Sequence, residues 1–347
     1  MNNSEFYKAL ASAVSGGGAL IYTALSGESF GQKAFFAGGK LLVQNNELRP
    51  LWQKAVEHEG FTTASLPCTA QLLGTKVFAE NILPMPRLVV CGGGHISLPL
   101  VQIATLLGFE TTVIDDREEF ANSVRFPTAQ QVICTGFEAA FGQLAAPVAN
   151  TYYVIITRGH SADRECLEEI LHRNPNAAYI GMIGSKHKVA VVMEQMLADG
   201  YTPQQLERIH APIGLKIGAQ TPAEIAVCIA AQLVQVRSER ANDGAVEEEM
   251  LALLAAGSQP MVMATILTKK GSAPRVTGAK MLLNAEGRVL CGSVGGGAGE
   301  GQICGMAGEV IKNGTPQITT CSMTNDDAKK EGMVCGGTIT VLLEAIL

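Results

Sequence analysis

Residues 88–116 read LVVCGGGHISLPLVQIATLLGFETTVIDD: an apolar run stops in three glycines, restarts as a helical stretch, and ends in a second apolar run closed by two aspartates. Leu88 to Cys91 suits a strand buried on both faces of a parallel sheet. The glycines admit a tight turn into a helix whose free N–H groups and positive dipole end attract phosphate. Leu98, Val101, Ile103, Leu106 and Leu107 give that helix an apolar face. Thr111 to Ile114 predicts the next strand, and Asp115 and Asp116 fall where a ribose-binding carboxylate belongs, roughly 20 residues beyond the turn. Gly92 and Gly94 fill the first two positions of a GxGxxG fingerprint, and Ser97, small enough to keep helix near strand, stands in the third.

The alternation continues, with strands expected near Val132, Val154 and Tyr179 and helices near Cys166 and Val191. TPAEIAVCIAAQLVQVR closes the segment with a helix signed by Thr221 as cap, Pro222 in the first turn and Glu224 three residues after the cap. Such repetition predicts an α/β fold with a central Rossmann-like, doubly wound parallel sheet over residues 85–237. The flanks resemble each other in three ordered blocks. EFYKALASAVSGGGALIYTALS parallels EEMLALLAAGSQPMVMATILT, GGKLLVQNNE parallels GAKMLLNAEG, and GTKVFAENIL parallels GTITVLLEAIL with one residue inserted. Two related small α+β domains are therefore expected, at 1–84 and 248–347, with a polar linker over 238–247.

A net charge of −6 without a basic block argues against nucleic acid as the main partner. No stretch reaches the roughly 18 uninterrupted apolar residues of a membrane span, and the first residues lack the pattern of a secretory signal. Nine cysteines without a CxxC disfavour a disulfide framework and a structural zinc site. A cytoplasmic protein without a structural zinc site is expected.

Candidate ligand-binding residues gather in two places. In the central segment, Gly92, Gly94 and His95 belong to the glycine turn, and ITRGHSADRE puts Arg158 and His160 at the carboxyl end of a strand, where open α/β sheets bind ligands. Ser185 and Lys186 repeat that placement in IGMIGSKHK. In the C-terminal copy, GSAPR contributes Ser272 and Arg275, GSVGGGAGE offers an anion nest at Gly295, Gly296 and Gly297 followed by Glu300, and GMVCGG sets Cys335 before two glycines. The N-terminal copy has SGESFGQ in place of GSAPR and shows no counterpart of GSVGGG or of the CGG run, so it reads as the degenerate, structural copy.

Together CGGGHIS, VIDDREEFAN, ITRGHSAD, YIGMIGSKHK and HAPIGLKIGAQTPAEIAVCIAAQLVQVR closely resemble the Rossmann half of the XdhC/CoxI proteins, and GSAPRVTGAKM, GSVGGGAGE and GMVCGG resemble that family's other domain. The resemblance implies a molybdenum cofactor chaperone rather than a stand-alone catalyst. Such a protein binds molybdopterin or its dinucleotide form transiently while a cysteine desulfurase replaces an oxo ligand by sulfur. It then serves an apo xanthine dehydrogenase or aldehyde oxidoreductase, with a homodimer as the expected assembly. Cys335 is the candidate sulfur or molybdenum contact. Two other readings use the same crevice: an NAD(P)-dependent oxidoreductase with Asp115 or Asp116 on a ribose and His160 as acid or base, and a nucleotide-binding regulatory protein.

Overall fold

The computed structural model describes residues 1–62, 65–145, 150–239, 248–271, 275–322 and 337–347. The chain divides into two compact units, Met85–Glu239 and a second formed by Met1–Pro84 with Arg240–Leu347. Ser272 and Cys335 lie outside the described residues.

The N-terminal segment runs α1 (Asn3–Ser15), β1 (Ala19–Ala24), β2 (Lys33–Ala37), β3 (Lys40–Val43), α2 (Arg49–Val56), β4 (Cys68–Leu72) and β5 (Thr75–Ile82). Asn2 and Glu5 close a reciprocal capping box that starts α1. The strands form one antiparallel sheet in the order β3-β2-β1-β5-β4.

The central unit runs β6 (Arg87–Cys91), α3 (Ser97–Leu106), β7 (Glu110–Asp115), β8 (Gln131–Cys134), α4 (Phe137–Gln143), β9 (Thr151–Ile155), α5 (His160–Arg173), β10 (Tyr179–Met182), α6 (Lys186–Ala198), α7 (Pro203–Leu206), β11 (Ile209–His210) and α8 (Pro222–Glu239). Its six strands are all parallel, in the order β11-β10-β9-β6-β7-β8. Read from the other edge, this is the doubly wound order in which the chain reverses direction between β6 and β9. The sheet is buried on both faces, one against α4, α5 and α6 and the other against α3 and α8. Thr221 and Glu224 exchange the hydrogen bonds of the expected capping box at the start of α8. That helix continues through Ser238, whose hydroxyl bonds back to the Gln235 carbonyl, so the polar linker begins later than its composition suggests.

The expected apolar face of α3 needs one correction. Ser97, Leu100, Val101 and Ala104 form its buried stripe, while Leu98, Ile103 and Leu107 pack at its margins and Leu106 is 87% exposed. At 3.6 residues per turn, position 106 lies well around the helix from the line through 97, 100 and 104.

The C-terminal segment runs α9 (Glu248–Ala256), β12 (Met261–Lys270), β13 (Lys280–Asn284), β14 (Val289–Gly292), α10 (Gly297–Asn313), β15 (Gln317–Ser322) and β16 (Thr338–Ile346). Its sheet order, β14-β13-β12-β16-β15, reproduces that of the N-terminal sheet strand for strand. The register corrects the middle block of the repeat. Thr23 pairs with Lys33 as Thr265 pairs with Lys280, so GAKMLLNAEG corresponds to GQKAFFAGG and not to GGKLLVQNNE, one strand further on. The outer blocks align as expected, with Glu80 opposite Ile21 and Glu344 opposite Met263.

In the central unit, the loop after β9 is tied to both following helices by one carboxylate. Asp163, fully buried on α5, accepts from the Thr157 hydroxyl at 2.5 Å and forms an ion pair with Lys188 of α6. Asp163→Ala removes the partner of the Thr157 hydroxyl and of the partly exposed Lys188 ammonium, so it should cost roughly 2 kcal/mol and lower the calorimetric melting temperature of the full chain by about 4–8 °C. Asp163→Ala/Lys188→Met should recover most of that loss.

Candidate functional site

The glycine turn divides its labour among three positions. Gly92 has φ +108°, and a Cβ there would collide with the Ile156 carbonyl of the loop after β9. Gly93 is equally constrained, since a Cβ would strike the Phe120 carbonyl. At Gly94 an added Cβ meets nothing within 4 Å, so packing does not demand glycine there. Ser97 is fully buried and donates its hydroxyl to the Gly92 carbonyl at 2.5 Å, which holds the start of α3 against the end of β6. This matches a dinucleotide fingerprint: a tight turn first, an open approach for a phosphate second, close helix packing third. The helix starts without a side-chain cap.

Around this turn the charges are arranged by Asp115 and by two arginines the sequence pattern did not single out, Arg117 and Arg125. Asp115 is 2% exposed and accepts from the Gly93 N–H at 2.8 Å, from the Arg117 N–H at 3.1 Å, and from the Arg117 guanidinium at 2.8 and 2.9 Å. Burial alone would push its carboxyl up, but the hydrogen bonds from Arg117 and Gly93 hold it below the ordinary carboxylate value. Arg117 lies over the Phe120 ring at 3.8 Å, and the exposed His95 meets the same ring edge-on. Arg125 donates to the carbonyls of Gly93 and Gly94 at 3.0 and 3.2 Å, which sets a guanidinium beside the open position. Arg117 and Arg125 carry no spacing signal, because each reaches its target by way of a loop.

Asp116 and Arg158 close an ion pair of 3.0 Å between the loops after β7 and β9. They line a cavity of about 300 Å³ together with Asp115, Arg117, Phe137 and Glu165. His160 opens α5, exposed, between two residues that line this cavity. Ser185 caps α6 by accepting from the Lys188 N–H, and Lys186 points to solvent at the first helical position. The lysine of this helix that reaches inward is Lys188. Asp115, Asp116 and Arg158 therefore meet around one cavity, while Gly92, Gly94 and Lys186 do not line it.

In the other unit, the nest at Gly295, Gly296 and Gly297 has the positive φ angles it needs, and it already holds an anion. The Glu300 carboxylate accepts from the Ser293 hydroxyl at 2.8 Å and from the N–H groups of Gly296 at 3.0 Å and Val294 at 3.2 Å. Burial would raise the Glu300 carboxyl, yet these hydrogen bonds hold it below its usual value. Arg275 is exposed at the edge of the described residues. Among the described residues no three His, Cys, Asp or Glu side chains gather as a metal site.

Family models for the XdhC Rossmann domain and for the XdhC and CoxI family match residues 88–233 and 244–322. The chain belongs to the XdhC/CoxI family. Among its relatives are YqeB of Escherichia coli, an uncharacterized protein 34% identical over 154 residues, and a Bacillus subtilis protein named as a probable subunit of xanthine dehydrogenase, 31% identical over 163 residues. These alignments take in 44% and 47% of this XdhC/CoxI chain but only 28% and 46% of the relatives. The chain thus spans less than half the length of the curated relatives it matches. A crystal structure of a Bacillus halodurans protein described as a xanthine dehydrogenase shares the fold, with a TM-score of 0.52 and 24% identity over 72% of this chain and 70% of that one.

The two glycines next to each other should respond oppositely to a methyl group. Gly93→Ala should cost about 3 kcal/mol or more, whereas Gly94→Ala should stay within about 0.5 kcal/mol of wild type in urea unfolding. Glu300, with its carboxyl depressed in the folded state, contributes stability that is fully present above its unfolded value of about 4.3 and is lost as pH falls through the lower folded value. Urea midpoints measured from pH 7 down to pH 3 should therefore fall less steeply below about pH 4.5 in Glu300→Gln than in the wild type.

Proposed function

We propose that this XdhC/CoxI protein is an accessory factor for a xanthine dehydrogenase-type molybdenum hydroxylase, and that its cargo is the molybdenum cofactor. The observation that carries this reading is the open position at Gly94 with the Arg125 guanidinium bound to its carbonyl, beside an uncapped helix start. A phosphate on a pterin, or the pyrophosphate of a dinucleotide form, fits such a cradle through helix N–H groups and a fixed positive charge. The names of the Bacillus relatives support the choice of client.

Within this reading, Gly94 and Arg125 hold the phosphate, and Asp116 with Arg158 supplies polar contacts at the neighbouring cavity. The chemistry to be supported is exchange of an oxo ligand for sulfur on molybdenum by a cysteine desulfurase. Ser272, Arg275 and Cys335 of the C-terminal copy remain separate candidates for cofactor contacts, with Cys335 as a soft thiolate ligand. The nest at Gly295 to Gly297 is better assigned to holding Glu300 at the start of α10 than to cargo. A nicotinamide reading is weaker, because Asp115 is buried and engaged by Arg117 and Gly93, which leaves it only Asp116, already paired with Arg158.

Protein purified from cells that synthesise molybdenum cofactor should carry molybdenum and pterin. Gly94→Val and Arg125→Ala should each lower that content at least about tenfold, a loss of about 1.4 kcal/mol or more in binding, at near-normal stability. Wild-type metal and pterin content in a stably folded Gly94→Val protein would remove the cradle from the site, and retention of labelled nicotinamide nucleotide instead would favour the oxidoreductase. Cys335→Ser should leave melting temperature unchanged while the client enzyme stays unsulfurated. Full client activation by that variant takes the cysteine out of the scheme.

A further inference from the structure

Each outer copy owns one core and shares another. On its outer face the N-terminal sheet packs with α2 around Trp52, Val77 and Ala79, and the C-terminal sheet packs with α10 around Ile303, Ala307 and Val341. The inner faces have no separate cores. Phe35 and Leu282, at equivalent register positions of β2 and β13, fall in one cluster with Ile82 and Ile346. A second cluster consists of Leu25 and Phe78 with their counterparts Leu267 and Leu342.

Polar contacts across this shared face are reciprocal as well. Lys33 reaches Glu344 at 2.9 Å, and Lys280 reaches Glu80 at 2.7 and 2.8 Å. Each lysine also donates to the threonine paired with it in its own sheet, Thr23 at 2.9 Å and Thr265 at 3.3 Å. All four ionised side chains are buried. Gly31 and Gly278, each two residues before its lysine and each with φ above +80°, abut Pro316 and Pro67 of the opposite copy, the residues just before β15 and β4. Tyr7 and Leu10 of α1 face Leu251 and Leu254 of α9 around a void of about 10 Å³ that both lysines line. Burial, then Glu344 and Glu80, push the Tyr7 hydroxyl well up.

The ion pairs, the lysine–threonine bonds and the glycine–proline contacts therefore each have a counterpart related by exchanging the copies, which is the mark of an isologous, self-complementary interface. We infer that the inner face of the C-terminal copy is a docking surface for a second domain of its own kind, and that the N-terminal copy is the built-in occupant of that surface. Lysine and glutamate lie at equivalent positions in both copies, so either copy's face complements itself across chains as well as its neighbour within one. The degenerate copy needs no ligand motif for this role. It supplies the opposite lysine, glutamate and proline, and it keeps the apolar inner face from pairing with another chain.

Charge reversal on one copy tests this in the full chain. Lys33→Glu/Glu80→Lys sets like charges against each other within the chain, a new carboxylate facing Glu344 and a new ammonium facing Lys280. N-terminal faces remain complementary to each other between chains, and C-terminal faces likewise. Light scattering coupled to size exclusion should show at least a doubling of mass relative to wild type, growing with concentration. Adding Lys280→Glu/Glu344→Lys restores every intrachain pair with inverted sign and should return wild-type mass and melting temperature. Wild-type mass in the double variant at all concentrations overturns the inference. If the double variant is insoluble, the quadruple variant decides: soluble protein of wild-type mass supports the pairing, and persistent insolubility overturns it.

Discussion

Taking an ionised side chain out of water costs several kcal/mol unless an opposite charge and further hydrogen bonds go with it. This constraint sets where the pieces of the molecule are held. Lys33 and Lys280 are buried only because Glu344 and Glu80 arrive from the other copy, so neither inner face is satisfied alone. Asp163 is buried because the partly exposed Thr157 and Lys188 come to it, which fixes the loop after β9 to α5 and α6. Asp115 is buried because Arg117 and the Gly93 N–H come to it, which pins the loop after β7 to the glycine turn. In each case the counter-charge or donor comes from a different stretch of chain, so satisfying the charge also sets the geometry between elements.

The same constraint separates what a ligand can use from what the fold has already consumed. In the sequence Asp115 and Glu300 look available, one as a ribose acceptor and the other beside an anion nest. Both are held by internal donors strong enough to overcome the penalty of burial. What stays open is a backbone position, Gly94, with Arg125 already docked on its carbonyl. A cradle made of backbone and a guanidinium recognises phosphate by charge and shape and is indifferent to what the phosphate carries. That is why the glycine turn alone suits a pterin phosphate as well as a nicotinamide dinucleotide.

The parallel sheet is legible in the sequence because its signals are local: apolar runs of strand length, a glycine turn, and a capping box at Thr221 and Glu224. The partners of the turn are not, since Arg125 sits some thirty residues downstream in a polar loop with no periodicity. Leu106 departs from the expected buried face because apolar content alone does not follow the helical angle to the buried line. The middle block of the repeat shifts by one strand for a related reason. Short apolar strands in a hairpin resemble one another, and only pairing with β1 and β12 tells GQKAFFAGG from GGKLLVQNNE.

That shift hides the most informative residues of the outer copies. A lysine at the first position of a strand reads as a surface residue, and Lys33 and Lys280 gain meaning only when each is seen facing a glutamate of the other copy. The N-terminal copy lacks GSAPR, GSVGGG and CGG, yet it has the lysine, the glutamate, the threonine and the glycine–proline contact that the C-terminal copy uses against it. A domain that had drifted free of any task would need only its own apolar core, which α2 and the outer sheet face already provide. Buried charges matched to a neighbour destabilise a fold unless the neighbour is permanently there. The matched set therefore locates the working role of this copy in its inner face, where it stands as the fixed partner of the copy that carries the ligand motifs.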